Sequence, residues 1–242
     1  MGGTLVNVAG ILVGSLIGLA LKRGIPPRVN DALLKAEGLA IILIGLAGAL
    51  KEMLSVAGDD GRLSDSGGLA LLVSLVIGCV AGEWLRIDDR INGAAARLER
   101  RFRADGFAKG FVSASLVFCV GAMAIVGPVQ EGMTGKADIL HIKTMLDFTT
   151  AIVLASTLGW GVAFAALPVL VVQAVPALLA ARLSAHITPE LLSPFCMVGY
   201  ALVAAIGVNF LLDAKIKVAN LLPALLAPGA LHFLSAWAEF LK

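Results

Sequence analysis

The amino-acid sequence predicts an all-α, polytopic membrane protein with seven to eight transmembrane helices. Of its 242 residues, 59% are hydrophobic and only 15% are charged, whereas an ordinary soluble domain carries about 25% charged residues. Stretches without Lys or Arg approach the roughly 20 residues that cross a bilayer, and a soluble fold could not bury them. The longer stretches are 3–21, 67–82, 110–129, 144–181, 191–212 and 218–238, and a shorter one is 38–50.

Two of the apolar stretches contain small residues at every fourth position, and we call each set a ladder. Residues four apart lie on one helix face, where small side chains let two backbones approach closely in lipid. We therefore predict that these faces are packing seams, and we interpret two central glycines in the same way. The first ladder consists of Gly10, Gly14 and Gly18, the second of Ser74, Gly78 and Gly82, and the central glycines are Gly121 and Gly127.

A longer repeat accompanies the ladders. When Gly18 is aligned with Gly82, a basic amphipathic segment follows in both copies, and then a second span. Such self-similarity predicts a fold built from repeated units, each consisting of a span, an interfacial helix and a second span. We expect one integral membrane domain over 1–242. Its approximate units are 3–54, 67–133 and 149–213, followed by a final helix at 216–240.

The charges of the connecting segments predict the topology. Most basic residues lie in 22–37 and 86–109, which the positive-inside rule places in the cytoplasm, whereas the acidic segment 55–66 is predicted to be exterior. The N-terminus is then outside. The apolar residues of 87–104 recur at helical spacing, so we expect an interfacial helix there, with a solvated charged helix as the alternative. The predicted lipid-surface residues are Arg97, Arg100, Arg101 and Arg103.

The segment 164–182 gives two conflicting indications. Its place in the repeat corresponds to the amphipathic helix, yet Gln173 is its only polar residue before Arg182, and Pro168 and Pro176 interrupt it. It is either a true span or an apolar in-plane or re-entrant helix screened by its neighbours. These alternatives leave both seven and eight spans open.

Polar residues within spans are the candidates for function, because such residues are costly and usually face a bundle interior or a wet cavity. Lys143 and Asp147 are four apart and can meet on one helix face, as part of a pathway or as a structural ion pair. Gly127-Pro128 is predicted either to break its span, as in transporters, or to be an ordinary helix end. The pathway or ligand-binding candidates are Asn7, Gln130, Glu131, His141, Lys143, Asp147 and Asn209.

Familiar catalytic sequence patterns are missing. The sequence contains no HExxH, GxSxG or P-loop, and no GxGxxG between a strand and a helix. Its three cysteines lie in apolar stretches without CxxC spacing, as small packing residues do. We therefore expect no enzyme, no cofactor, no metal site and no nucleic-acid partner.

Several blocks resemble a known family. Residues 3–7, 118–128 and 143–147, followed by Ala155-Ser156-Thr157, are similar to the bacterial inner-membrane family of unknown function that includes the YqgA and YdfK proteins. The resemblance covers the whole chain and implies a bacterial cytoplasmic membrane location and a transport role. It draws attention to Asn7, Gly121, Lys143 and Asp147, which lie in the matching blocks, and it carries over no ligand residues.

The sequence leaves two functional hypotheses. The first is a transporter or channel for an ion or small solute, in which small residues and a few polar groups line the pathway. The second is a non-transporting scaffold or sensor whose basic amphipathic helices bind anionic lipid at the cytoplasmic surface. In both, the lipid bilayer is a partner, and we expect a homo-oligomer because glycine-faced helices often pair.

Overall fold

A computed structural model of the chain describes residues 1–21, 26–57, 62–65, 67–101, 107–119, 123–184, 189–212 and 214–230. These residues are mostly helical, which confirms the predicted fold class. A short antiparallel hairpin pairs Leu54 with Asp65 in the predicted exterior segment. The elements are α1 Gly2–Ala20, α2 Pro27–Met53, β1 Leu54–Ala57, β2 Arg62–Asp65, α3 Gly68–Leu85, α4 Ile87–Arg101, α5 Phe107–Cys119, α6 Met123–Thr134, α7 Asp138–Leu158, α8 Gly161–Phe164, α9 Ala166–Leu183, α10 Pro189–Leu212 and the 3-10 helix Val218–Leu225.

Within the described residues, six helices are long and apolar enough to cross a membrane, and the bent pair α5–α6 would be a seventh span. This count lies within the predicted seven to eight, but it includes the segment 164–182, which the seven-span alternative left out. The predicted difference between seven and eight spans was the segment 164–182. Both alternatives counted the final helix, of which Val218–Ala230 is a short apolar helix and the remainder lies outside the described residues. The ambiguous segment 164–182 forms part of Gly161–Leu183, which is long and apolar enough to span.

Both alternatives predicted for Gly127-Pro128, a broken span and an ordinary helix end, are wrong, because α6 continues through these residues to Thr134. The interruption lies earlier, between the end of α5 at Cys119 and the start of α6 at Met123, and the two helices are bent by 57°. Pro128 lies inside α6. A membrane helix tolerates such a proline because neighbouring groups can satisfy the carbonyl that its missing N–H leaves free.

The described helices group into two compact units. Unit 1 comprises Met1–Glu37 and Asp89–Ala185, and unit 2 comprises Gly38–Asp88 and His186–Lys242. The repeat of span, interfacial helix and span stays a prediction from the sequence.

In unit 1 the first ladder packs α1 against α7. Gly10 faces Thr144, Gly14 faces the carbonyl of Phe148, and Gly18 faces the carbonyl of Ile152. The residue numbers of the ladder glycines and of the residues that they face increase together, so the two helices run parallel. The apolar core beside this seam contains Ile11, Ala114, Phe118, Ala151, Ala155, Val162, Ala165, Ala166 and Val169.

In unit 2 the second ladder packs α3 against the 3-10 helix in the opposite sense. Gly78 faces Ala224, and Gly82 faces the carbonyl of Asn220, so the partner number falls as the ladder number rises. Ser74, the first member of this ladder, is fully buried. The same four-residue spacing therefore serves a parallel seam in unit 1 and an antiparallel seam in unit 2, because a small-residue face permits close approach in either direction.

Candidate functional site

A buried ion pair joins two residues one turn apart on α7. Nζ of Lys143 lies 2.8 Å from the carboxylate oxygens of Asp147. Asn7 of α1 donates from Nδ2 to Oδ2 of the same carboxylate at 2.9 Å. The Lys143 and Asp147 side chains are each 7% exposed, and Asn7 is fully buried. We call these three residues the polar triad.

Small residues on α1 bring Asn7 to α7. A methyl group on Gly3 would lie 2.6 Å from Cβ of Ala137, and one on Gly10 would lie 2.8 Å from Cγ2 of Thr144. These close contacts flank Asn7 on both sides along the helix. The neighbouring Thr144 hydroxyl donates to its own helix, at 2.8 Å from the Leu140 carbonyl, so its polar atom is satisfied locally.

The triad has an oxygen that no described protein group satisfies. Asn7 presents its nitrogen to Asp147, because its oxygen would repel the carboxylate, and Oδ1 is left without a hydrogen-bond partner. Thr4, three residues earlier and therefore on the same face of α1, is also fully buried and its Oγ1 has no partner. Most buried polar atoms in proteins are hydrogen-bonded, so two such oxygens one turn apart require an explanation.

Glu131 of α6 holds the start of α1. Its Oε1 accepts a hydrogen bond from the Gly3 amide at 2.8 Å and lies 2.9 Å from the amino group of Met1. The first amides of a helix have no partner within the helix, and a carboxylate there is favoured by the helix dipole. The geometry therefore gives Glu131 a capping role, although its buried Oε2 has no partner.

Gln130, the residue before Glu131, contacts the start of a second helix, α7. Oε1 of Gln130, also buried, lies 3.4 Å from the amide of Ile139 in the first turn of α7. Consecutive residues of α6 thus contact the N-termini of the two helices that carry the triad. Gly127 packs against Leu140 of α7, which brings α6 close to the same place.

The structure does not bring two other predicted candidates into the triad. His141 is exposed on α7. Asn209 lies in unit 2, where its amide donates to the carbonyl of Ile216 at 2.9 Å and its Oδ1 accepts from the Ile216 amide at 3.0 Å. This pair of bonds fixes the turn after α10.

The predicted lipid-surface residues lie in or after α4. Arg97 is exposed on that helix, and Arg100 and Arg101 belong to its last turn. Arg103 and the packing candidate Gly121 lie outside the described residues.

Two buried amides were not among the functional candidates predicted from the sequence. Asn220 is 1% exposed; its Nδ2 donates to Oε1 of Glu83 at 2.8 Å and its Oδ1 accepts from the Asp88 amide at 2.7 Å. Gln173 of α9 is fully buried, and neither atom of its amide has a described partner. The available signal was the same for both, a single amide in an otherwise apolar run.

The described side chains contain no group of three or more His, Cys, Asp or Glu residues that could hold a metal ion. Any ligand of the triad would instead meet one carboxylate, one ammonium group and neutral oxygens.

Comparison with known proteins confirms the resemblance. The family model described as "Protein of unknown function (DUF554)" matches residues 2–233. The "Uncharacterized membrane protein YdfK" of Bacillus subtilis (strain 168) is 34% identical over 233 residues, which cover 96% of each chain. The "Uncharacterized protein YqgA" of Escherichia coli (strain K12) is 29% identical over 98% of each chain. No solved structure matches significantly. The protein is a multi-pass membrane protein and belongs to the DUF554 family.

Proposed function

We propose that this protein transports an ion or a small solute across the membrane, with the polar triad on its pathway. The observation that carries the proposal is the buried Lys143–Asp147 pair, bonded to Asn7, in helices that are long and apolar enough to span a bilayer. Ionisable residues at such positions are rare, and in membrane proteins they mark substrate and ion pathways.

The interrupted span supports the same proposal. α5 contacts α7, the helix that carries Lys143 and Asp147, so the interrupted span packs against the helix of the ion pair. Transporters commonly build their sites where a span is discontinuous, because the helix ends present backbone dipoles to the substrate.

A purely structural role for the ion pair explains less. Buried ion pairs can often be replaced by apolar side chains without loss of stability. Close packing of a small-residue ladder also needs no ion pair, since Gly78 in unit 2 packs on Ala224 through an apolar contact. A transport role gives the charged pair a reason to be present that packing does not.

We also propose the location, the orientation and the oligomeric state of the protein. The basic segments that flank α1 and α3 favour an exterior N-terminus, and the relatives are bacterial, so we place the protein in the bacterial cytoplasmic membrane. We also propose that it is a homo-oligomer and that its role is not enzymatic.

Vesicle flux tests the proposal directly. We expect purified wild-type protein to carry at least one member of a panel of ions and small metabolites into liposomes. The double variant Lys143→Met/Asp147→Leu should reduce that flux to the level of empty liposomes, because it removes both charges together. The matched control is Asp31→Asn, which breaks the exposed i,i+4 pair Lys35–Asp31 and should leave the flux unchanged. Equal background leak from wild type and double variant for every solute would contradict the proposal.

One arrangement favours the scaffold or sensor as a second candidate. Arg86 adopts a left-handed conformation at the end of α3, and the chain turns directly into α4. Asn220 bonds both to Glu83 before this turn and to the Asp88 amide after it. A basic helix so anchored could bind anionic lipid at the membrane surface.

Replacing the predicted lipid-surface arginines by glutamine separates the two candidates. The transport proposal expects solute flux to persist in the variant with all four changes, at Arg97, Arg100, Arg101 and Arg103. The scaffold proposal expects the protein to lose its enrichment for anionic lipid, because each basic residue near the surface contributes about 1 kcal/mol of attraction. Lipid retained by the purified protein can be quantified by mass spectrometry, with Asp31→Asn again as the control. Unchanged anionic lipid would count against the second candidate.

A further inference from the structure

We infer that the carboxyl group of Glu37 is a proton-binding site inside the membrane. The site consists of Glu37 on α2 and the Thr149 hydroxyl on α7, both in unit 1. Neither residue belongs to the polar triad, and the bound proton can be measured apart from transport. The coupling of this proton to solute movement rests on the proposed function.

The carboxyl group lies near the middle of two helices that are long and apolar enough to span a membrane. Oε1 of Glu37 lies 2.7 Å from Oγ1 of Thr149, and Thr149 is about 15 Å from either end of α7, at about 1.5 Å per residue. Glu37 belongs to the segment 22–37 that was predicted to be cytoplasmic, but α2 already begins at Pro27, about 15 Å before it. The hydrocarbon core of a bilayer is about 30 Å thick, so both helices place the carboxyl group close to its centre.

This carboxyl group has no counter-charge among the described residues. The ion pairs in that part of the chain are Met1–Glu131, Lys35–Asp31 and Lys143–Asp147. Glu37 belongs to none of them, and its buried Oε2 has no hydrogen-bond partner. An ionised carboxylate in an apolar environment is costly without such partners, and a buried group of this kind usually becomes neutral instead. A bound proton gives Glu37 that neutral form.

The surroundings of Glu37 on the packed helices are apolar. Asp147 is two residues from Thr149 and therefore on another face of α7, where it accepts from Asn7 of α1. α1 has no ionisable side chain, and 201–212 of α10, against which the neighbouring Gly38 packs within unit 2, has none either. The residues one helical turn from Glu37 and from Thr149 are Leu33, Leu34, Ala40 and Ile41 on α2, and Met145, Leu146, Ile152 and Val153 on α7.

The Thr149 hydroxyl provides an acceptor for the proton. Its Oγ1 also lies 3.0 Å from the carbonyl oxygens of Met145 and Leu146, which only accept, and a hydroxyl has a single hydrogen. When that hydrogen points to its own helix, the 2.7 Å contact with Glu37 requires a hydrogen on the carboxyl oxygen. The protonated carboxyl group then donates to the hydroxyl and the hydroxyl donates to a carbonyl, so each hydrogen has an acceptor.

Infrared spectroscopy of the purified protein tests the inference. A protonated carboxyl group has a C=O stretching band that a carboxylate lacks. At neutral pH we expect the wild type and the control Asp31→Asn to have this band, and Glu37→Gln to lose it. The glutamine amide has a similar size and can donate to Thr149 in place of the carboxyl group, so the fold should tolerate the change. No difference in this band between the wild type and Glu37→Gln would overturn the inference.

Chemical labelling of the wild-type protein gives a second measurement, which needs no variant. The apolar reagent dicyclohexylcarbodiimide adds to protonated carboxyl groups. The carboxyl proton moves to a nitrogen of the reagent, the carboxyl oxygen bonds to its central carbon, and rearrangement gives an N-acylurea without a leaving group. We expect peptide mass spectrometry to find the label on Glu37, with a yield that falls as the pH rises.

Two other carboxylates of the helices are matched controls for this labelling. Asp147 and Glu131 each lie beside an ammonium group and should stay unlabelled. Absence of the label from Glu37, a yield independent of pH, or preferential labelling of either control would overturn the inference.

Flux into liposomes separates this inference from the proposed function. For a solute that the wild-type protein carries, a pH gradient should change the net flux through the wild type and not through Glu37→Gln, because the amide cannot bind and release the proton. Solute flux that is independent of the gradient would contradict the coupling and leave the transport proposal standing. A pH-dependent label on Glu37 without flux of any solute would support the proton site and contradict transport.

Discussion

Asp147→Asn is expected to destabilise the folded protein by about 3–5 kcal/mol, the cost of removing one partner from a buried ion pair. The substitution leaves the buried Lys143 side chain without its counter-charge, and it takes from Asn7 the carboxylate to which its amide donates. The measurement is unfolding of the purified protein in detergent, by heat or by denaturant.

The double variant Lys143→Met/Asp147→Leu should be within about 1 kcal/mol of the wild type, or more stable, because replacing both charges by apolar groups removes the desolvation cost along with the attraction. The two single variants and the double variant form a cycle that isolates the coupling between the residues. In the exposed pair Lys35–Asp31, Asp31→Asn should cost less than about 1 kcal/mol. An Asp147→Asn protein as stable as the wild type would show that the pair is not desolvated in the folded protein.

The ion pair also illustrates what sequence can predict about this site. The pairing of Lys143 with Asp147 was predictable because it depends only on the local spacing of one helix. The hydrogen bond from Asn7 to Asp147 joins residues 140 positions apart in the sequence. A helical repeat pattern cannot predict a contact between residues so far apart. The only indication was the cost of placing an amide in an apolar helix.

The roles of Gln130 and Glu131 were not predictable for a related reason. Both were predicted as pathway or ligand-binding candidates, and in the structure they contact the starts of α7 and α1. A cap supplied by another helix leaves no capping pattern in the sequence of the helix that it caps. The break was predicted at the wrong residues because a proline does not always interrupt a membrane helix. Pro128 lies within α6.

The ladders also have one feature that the sequence predicts, the small face of the helix, and one that it does not, the partner helix. Four-residue spacing predicts that a helix has a small face, and the structure has close contacts at Gly14 and Gly78. Spacing says nothing of the partner or of its direction, and these differ between the units. What each ladder contributes is proximity: in unit 1 it holds α1 close enough to α7 for Asn7 to reach the ion pair.

Gly82→Ala should be among the most damaging single-methyl additions in the chain. Its methyl group would overlap the carbonyl of Asn220, which is backbone and cannot rotate away. Asn220 also bonds to Glu83 and to the Asp88 amide, so a shift of this residue would disturb the connection between α3 and α4. We expect a loss of about 3 kcal/mol or more, at the upper end of the costs of overpacking.

A series of three alanine substitutions makes this expectation specific. Gly10→Ala meets the Thr144 side chain at 2.8 Å and should cost less than Gly82→Ala, because a side chain can yield where a carbonyl cannot. Gly93 lies in α4 with no atom within 4 Å of an added methyl, so Gly93→Ala should stabilise the protein by up to about 1 kcal/mol through helix propensity. Melting temperatures in detergent should therefore fall in the order Gly93→Ala, wild type, Gly10→Ala, Gly82→Ala. If Gly82→Ala had the same melting temperature as the wild type, α3 and the 3-10 helix could not be in such close contact. No rearrangement confined to side chains can make room for that methyl group.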